Sequence, residues 1–306
     1  MKGRVIKSTG SWYILRTEEG HIYNSRIKGK FRLDKSKLTN PVAVGDMVEF
    51  ELEEKETDQG IITKIEERKN YLIRRSNKLS SQFQIIASNI DQILLLATVA
   101  HPRTTTVFID RILLAAEAYQ IPVILIFNKR DIYTPSEIDL LNDFKAIYQS
   151  IGYPVMVVSA FDKNDLDAIK LPICNKISLI TGHSGVGKST IMNQLNPTLG
   201  LKTGNLSKYH ERGTHNTTFA EMHEIDEGSY VIDTPGIKDF GVVEFDQDNV
   251  SMYFPDIRKY AGLCKFNNCK HIDEPGCKVL QAIKENQIHL SRYESYLNII
   301  SSLQKP

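Results

Sequence analysis

The chain has 306 residues, 41% hydrophobic and 25% charged, which excludes a disordered or fibrous protein and leaves room for one large core with one or two small domains. A formal net charge of +1 decides nothing about nucleic acid, because basic patches can sit on a neutral total. The N-terminus Met1-Lys2-Gly3-Arg4-Val5-Ile6-Lys7 lacks a long apolar run, and the greasiest stretch, Ile93 to Ala100, is far shorter than the roughly 18 residues that span a bilayer, so a cytoplasmic protein without membrane contact is expected.

From Arg4 to about Ile73, short β-type runs alternate with turns: Val5-Ile6, Ser11 to Leu15, Gly20 to Tyr23, Met47 to Leu52 and Gly60 to Ile65. About five strands predict a small all-β barrel over residues 1–72, of OB type or, on the other reading, SH3-like. Val44-Gly45-Asp46 reads as a turn entering a strand. Arg68, Lys69, Arg74, Arg75 and Lys78 then gather around Tyr71, either as a solvated linker or as a contact for a phosphate backbone.

The middle, residues 73–243, switches to β-α-β alternation. Asp91 to Ala97, Ile121 to Phe127, Val155 to Val158 and Ile177 to Ile180 read as strands. Val107 to Tyr119, about Ser136 to Ile151, and a segment from near Gly187 read as helices. Such a rhythm predicts a parallel sheet covered by helices on both faces.

Asn128-Lys129-Arg130-Asp131 follows the second of these strands, where open α/β sheets present ligands. The Asp131 carboxylate can accept from guanine N1–H and from its 2-amino group, neither of which adenine offers. A site built on such bonds rejects the analogue lacking them by about 10⁴ or more. Lys129 would lie along the base, Asn128 would hold loops together, and Ser159-Ala160 at the end of the next strand would turn a backbone N–H toward the guanine carbonyl. The bland reading of each is a polar strand-end turn.

Gly182-His183-Ser184-Gly185-Val186-Gly187-Lys188-Ser189, with Thr190 after it, lies between a strand and a helix, the context that makes a phosphate loop. Backbone N–H groups there bind phosphate oxygens, Lys188 places its charge on the β- and γ-phosphates, and the Ser189 hydroxyl ligates Mg²⁺. After the strand-like Ser229 to Ile232 comes Asp233-Thr234-Pro235-Gly236, in which Asp233 would hold a Mg²⁺-bound water and the Gly236 N–H would sense the γ-phosphate. Between the two motifs, Gly213-Thr214-His215-Asn216-Thr217-Thr218 offers a threonine to close over Mg²⁺. Ile237 cannot orient a water, so His215 becomes the candidate water positioner or general base, its other reading being a solvent-facing loop histidine. The base-reading half thus precedes the phosphate loop, the reverse of the ordinary GTPase order.

Residues 244–306 form the third expected unit. Four cysteines are too few for a disulfide framework, and three of them crowd with a histidine as Cys264-x₄-Cys269-x-His271-x₅-Cys277. Three thiolates and an imidazole satisfy tetrahedral Zn²⁺ with no open position, a structural site, unless the four are unrelated. Cys174 stands alone and is expected to be a small core residue. Tyr293, Tyr296, Leu297 and Ile300 recur at helical spacing and read as packing.

Barrel, reversed nucleotide motifs and Cys-Cys-His-Cys knuckle, in that order, resemble the ribosome small-subunit-dependent GTPase A family over essentially the whole chain. The resemblance implies an N-terminal OB-fold, a circularly permuted P-loop GTPase and a C-terminal zinc domain. It also implies a GTP hydrolase that binds the small ribosomal subunit and its rRNA, assists late maturation, is stimulated by the subunit and leaves on hydrolysis. It supports His215 as the catalytic histidine and Thr217 as the Mg²⁺-sensing threonine. The family loop usually reads Gly-Arg-His-Thr-Thr-Thr, so Thr214 and Asn216 depart from it, and Gly185 stands where potassium-dependent GTPases carry asparagine. The other readings are a nucleotide-gated RNA-binding scaffold with negligible turnover and a P-loop ATPase or kinase with a coincidental Asn-Lys-x-Asp. A monomer is expected.

Overall fold

A computed structural model describes residues 1–27, 40–53, 56–75, 83–203, 220–234 and 247–303. Strands β1 (Lys2–Ser8), β2 (Tyr13–Arg16), β3 (Ile22–Ile27), β4 (Met47–Glu53) and β5 (Glu56–Ile65) close on themselves in the order β1-β2-β3-β5-β4, with β4 returning to β1. Only β3 and β5 are parallel, so this is a five-stranded barrel of OB type. Val5, Tyr13, Leu15, Val48, Phe50 and Ile62 fill it. Gly45 occupies the turn before β4 at φ +98°, with Ser88 O only 2.0 Å from where a Cβ would stand.

The described part of the basic segment after the barrel is a strand, not an open linker. Strand β6 (Tyr71–Arg75) pairs antiparallel with β7 (Phe83–Ser88), and Leu72, Ile85 and Ala87 are buried. The division expected between residues 72 and 73 therefore falls within β6. Arg68 turns inward, donating from Nε and Nη2 to the fully buried Asp46 carboxylate, each at 2.7 Å. Ser88 Oγ and the Ala43 N–H complete that carboxylate's shell. Arg74 donates to Gln84 and Lys69 to Asp91. Lys78 lies outside the described residues.

The α/β unit is built on β8 (Gln92–Ala97), β9 (Val123–Phe127), β10 (Val155–Val157), β11 (Ile177–Thr181), β12 (Glu221–Asp226) and β13 (Ser229–Asp233), in the order β10-β9-β8-β11-β13-β12. All are parallel except β12, which runs against β13. Although β11 comes fourth among these six strands in chain order, it lies in the middle of this sheet. Strand β8 is buried throughout, as a central parallel strand with both faces covered must be. Its alternate residues enter two cores, Ile93, Leu95 and Ala97 on one face and Leu94 and Leu96 on the other.

Helix α1 (Thr106–Ala118), capped by Thr105 Oγ1, and α2 (Pro135–Ser150) cover the first face. Helices α3 (Lys163–Ile173), capped by Asp162, and α4 (Lys188–Leu195) cover the second. Cys174 is exposed, against expectation. It is the C-cap residue of α3, one step past the buried Ile173, and the helical rotation carries it off the inward face of Leu166, Ile169 and Ile173. The barrel joins the sheet edge where β1 meets β12 at Lys7 and Glu221. None of the helices described is long and apolar enough to cross a membrane.

The C-terminal part packs α5 (Pro255–Ala261), α6 (Lys278–Lys284) and α7 (Leu290–Leu303) around Phe254, Ile257, Val279, Tyr296 and Ile299, with Leu114 of α1 in the same cluster. The aromatic stripe at helical spacing is packing, as expected. A buried ion network fixes this unit to α1: Arg292 donates to Asp110 and, through Nε and Nη2, to Asp256 at 3.1 and 2.9 Å. Tyr148 on α2 donates its hydroxyl to the same Asp110 at 3.0 Å.

Candidate nucleotide site and metal centre

The end of β11 delivers Gly182 to the sheet's carboxyl edge, where the phosphate-loop sequence turns into α4. Gly182 has φ +146° and Leu96 O lies 2.2 Å from its would-be Cβ, so the loop hugs the neighbouring strand too closely for any side chain. Gly187, the N-cap of α4, has φ +101°, and Asn128 Nδ2 lies 2.3 Å from where its Cβ would be. Ser184 and Gly185 are exposed, Val186 is buried, and Ser189 and Thr190 are partly covered. Lys188 Nζ donates to Gly182 O and His183 O at 2.8 and 2.9 Å, which folds its ammonium back over the loop. Burial lowers the Lys188 pKa, and the Asp233 carboxylate works against that. Burial likewise raises Asp233, with Lys188 opposing. Asp233 Oδ1 is buried and finds no hydrogen-bond donor among the described residues.

The base-reading residues converge on this loop through Asn128, only 1% exposed. Its Nδ2 donates to Val186 O at 2.9 Å and its Oδ1 accepts from the Ala160 N–H at 3.2 Å, so one side chain staples the phosphate loop to the Ser159-Ala160 turn. The Ser159 N–H donates to Asp165 Oδ2 at 2.7 Å. In this geometry both turn amides are engaged within the protein. Lys129, in the left-handed region at φ 68°, donates from Nζ to His101 O, and Asp131 stands exposed in a short 3-10 turn, Arg130–Ile132. His215, Thr217, Gly236 and Ile237 lie outside the described residues.

Two supporting residues escaped the sequence reading. Tyr133, pushed up to about 12 by burial, donates to Asn128 O and accepts from the Val99 N–H, fixing the strand end that carries Asn128. Phe108 of α1 stacks on His183 of the phosphate loop, ring centroids 3.6 Å apart at 25°. Phe108 sits in an amphipathic stripe and reads as packing. The only hint for Tyr133 is a phenol two residues beyond Asp131, too common a pattern to single out.

Cys264, Cys269, His271 and Cys277 are drawn together, their ligand atoms all within 4.8 Å of one another. His271 Nδ1 lies 3.5 Å from the sulfurs of Cys264 and Cys277, which are 3.9 Å apart. A tetrahedral ion with bonds of about 2.3 Å to sulfur and about 2.0 Å to nitrogen sets ligand separations close to these. Backbone N–H groups of Lys278 and Leu280 donate to Cys264 and Cys277 at 3.4 Å, the support a thiolate needs. Glu274 holds the loop between ligands. Burial disfavours its charge, but the N–H groups of Lys270, Ile272 and Asp273 outweigh that and keep it down at about 2. This cluster can hold a metal ion.

A strand order with the phosphate-loop strand central, and Asn-Lys-x-Asp stapled to that loop from an earlier part of the chain, define a P-loop GTPase with circularly permuted connectivity. The family model of the RsgA GTPase matches residues 65–243 and that of the RsgA N-terminal domain residues 2–62, and the chain belongs to the RsgA GTPase family. It is 48% identical to the Small ribosomal subunit biogenesis GTPase RsgA 2 of Bacteroides thetaiotaomicron, over 100% of this chain and 98% of that one. To the Small ribosomal subunit biogenesis GTPase RsgA of Flavobacterium psychrophilum it is 49% identical, over 98% and 92%. Among solved structures it is similar to YjeQ from Thermotoga maritima, with TM-score 0.77, 30% identity and coverage of 100% and 99%. It is also similar to YloQ, described as a circularly permuted GTPase, with TM-score 0.74, 28% identity and coverage of 100% and 96%.

Proposed function

We propose that this chain binds the small ribosomal subunit and its rRNA, hydrolyses GTP there, and assists a late step of subunit maturation, with hydrolysis stimulated by the subunit and linked to release. The observation that carries the reading is the Asn128 staple, which brings a phosphate loop and a guanine-reading loop onto one site in a chain whose 48% identical relative is named for small-subunit biogenesis.

In this reading Gly182 to Thr190 cradle the phosphates, with Lys188 releasing its two carbonyl contacts for the β- and γ-phosphates. Lys129 and Asp131 read the base, Asn128 holds the loops, and the Ser159-Ala160 turn meets the guanine carbonyl with the Ala160 N–H released from its 3.2 Å contact to Asn128. Mg²⁺ bound with GTP would neutralise developing charge on the phosphates. The Ser189 hydroxyl would ligate it, and the orphaned Asp233 Oδ1, buried beside the ammonium, suits a Mg²⁺-bound water. His215 would position the attacking water, Thr217 would close on the ion and the Gly236 N–H would sense the γ-phosphate. The four-ligand cluster would take one structural Zn²⁺, whose donor set leaves no open position for catalysis. Residues 244–306 would then act as a zinc domain beside the GTPase unit and the barrel. The protein would work as a monomer in the cytoplasm, where the subunit is assembled.

The test is GTP turnover with and without small subunits. Stimulation by the subunit is expected, and it should be lost in His215→Ala while GTP binding persists. A basal rate that stays flat on adding subunits would overturn the hydrolytic reading in favour of a nucleotide-gated scaffold.

A further inference from the structure

The turn after β9 and the turn after β10 are independent loops on neighbouring strands, and a base can be read only if they keep a fixed spacing. Asn128 links them on the buried side. A second link lies on the outer side, through a residue that the Asn-Lys-x-Asp pattern leaves unspecified. Arg130 Nε donates to Asp165 Oδ2 and Nη2 to Asp162 Oδ2, both at 2.7 Å. Both carboxylates are already committed to the second loop. The same Asp165 oxygen accepts the Ser159 N–H at 2.7 Å, while Asp162 Oδ1 caps α3 by accepting from Asn164 and Asp165 N–H at 2.9 and 3.3 Å. The Arg130 N–H itself reaches Val158 O at 3.1 Å, so the residue is anchored at backbone and side chain.

We propose that Arg130 is a positioning residue for guanine recognition, its guanidinium clamping the Asp131 turn to the Ser159-Ala160 turn so that the two face the base edge at a set distance. The inference rests on the reading of Asp131 and Ser159-Ala160 as base contacts. An isolated exposed ion pair contributes little, but this guanidinium forks across two carboxylates that are themselves held by backbone amides, a network in which planar geometry matters and a lysine would reach only one partner. Loosening the clamp leaves the phosphate loop intact and releases the spacing on which the edge contacts depend. The loss should fall on the base-edge contacts more than on the phosphate contacts.

The experiment compares dissociation constants of GDP and of ADP, whose base offers neither the N1–H nor the 2-amino donor, for wild type, Arg130→Ala and Arg130→Lys, with thermal unfolding alongside. Arg130→Ala should weaken GDP about 5- to 10-fold and ADP less than about 2-fold, narrowing the ratio, while kcat at saturating GTP is unchanged and Arg130→Lys lies between. Asp162→Asn should weaken GDP in the same sense and add little on top of Arg130→Ala. Equal weakening of GDP and ADP, or none, would overturn the proposal and leave Arg130 a surface ion pair. If Arg130→Ala does not fold, the ratio in Arg130→Lys decides by the same criterion. Asp131→Asn separates the two levels: it should shift preference from guanine to xanthine nucleotides, and unchanged GDP affinity in that variant would sink the base assignment itself.

Discussion

Two residues at the nucleotide site show how tightly side chains constrain the loop. Gly187 combines a left-handed φ of +101° with an Asn128 amide 2.3 Å from its missing Cβ. Gly187→Ala must therefore strain the backbone and push Asn128 off Val186, a cost of about 2 kcal/mol or more. A lowered melting temperature together with lost GDP binding is expected, and wild-type affinity would contradict the staple. Asp233 makes a pH-dependent contribution at this site. Burial raises its pKa, with the Lys188 ammonium opposing, so the folded protein holds this proton more tightly than the unfolded chain. Its contribution to stability is full below the unfolded carboxylate value of about 3.9 and is lost as pH rises through the raised folded value. Asp233→Asn should thus stabilise the nucleotide-free protein at pH 7, with the gain fading toward pH 4. Melting curves across that range would show it, and a constant difference would assign the effect to packing.

At the level of elements, the patterns that fixed period and punctuation carried the reading well. The barrel strands, the β-α-β alternation and the two central helices were legible because apolar alternation and turn residues coincide there. The β6–β7 hairpin was not, because Arg68, Lys69 and Arg74 look solvated, whereas Arg68 is committed to a buried carboxylate from the barrel that no local pattern reveals. Strand β12 is equally obscure, since Met222 and Ile225 are its only buried positions among polar neighbours. Of the site, the motifs announced residue types, while the Asn128 staple and the Phe108 stack are tertiary. The metal loop makes the clearest prediction at this scale. Few apolar side chains lie between Cys264 and Cys277, so its order should depend on the ion. Chelation or Cys269→Ala should release about one equivalent of metal and raise amide exchange in the 264–277 loop, leaving the β-sheet signal intact. A metal-free protein with that loop still protected would refute the dependence.

The molecule is joined by contacts of unequal strength. The barrel pairs with the α/β sheet at Lys7 and Glu221, packs Val44 into the core beside it and bonds Asp46 to Arg68 and Ser88, whereas the Lys7–Glu221 and Arg16–Glu224 ion pairs remain about one third exposed and so add little. The C-terminal unit is held by Arg292, 1% exposed, between the carboxylates of Asp110 and Asp256. Arg292→Ala would leave two buried carboxylates without their cation and should cost about 3–5 kcal/mol, whereas Glu221→Ala should cost less than about 1 kcal/mol. Denaturant unfolding measures both, and proteolysis of the Arg292 variant should begin by cutting around α7. The Asp110 end of that network has a mechanical meaning. Phe108 and Asp110 are two positions apart on α1, about 200° around the helix axis, so one side of the helix bears on the phosphate loop and the opposite side on the C-terminal unit. Helix α1 is a spacer bar gripped between two jaws: a shift of either jaw must carry the bar with it or open the grip at His183 or at Arg292.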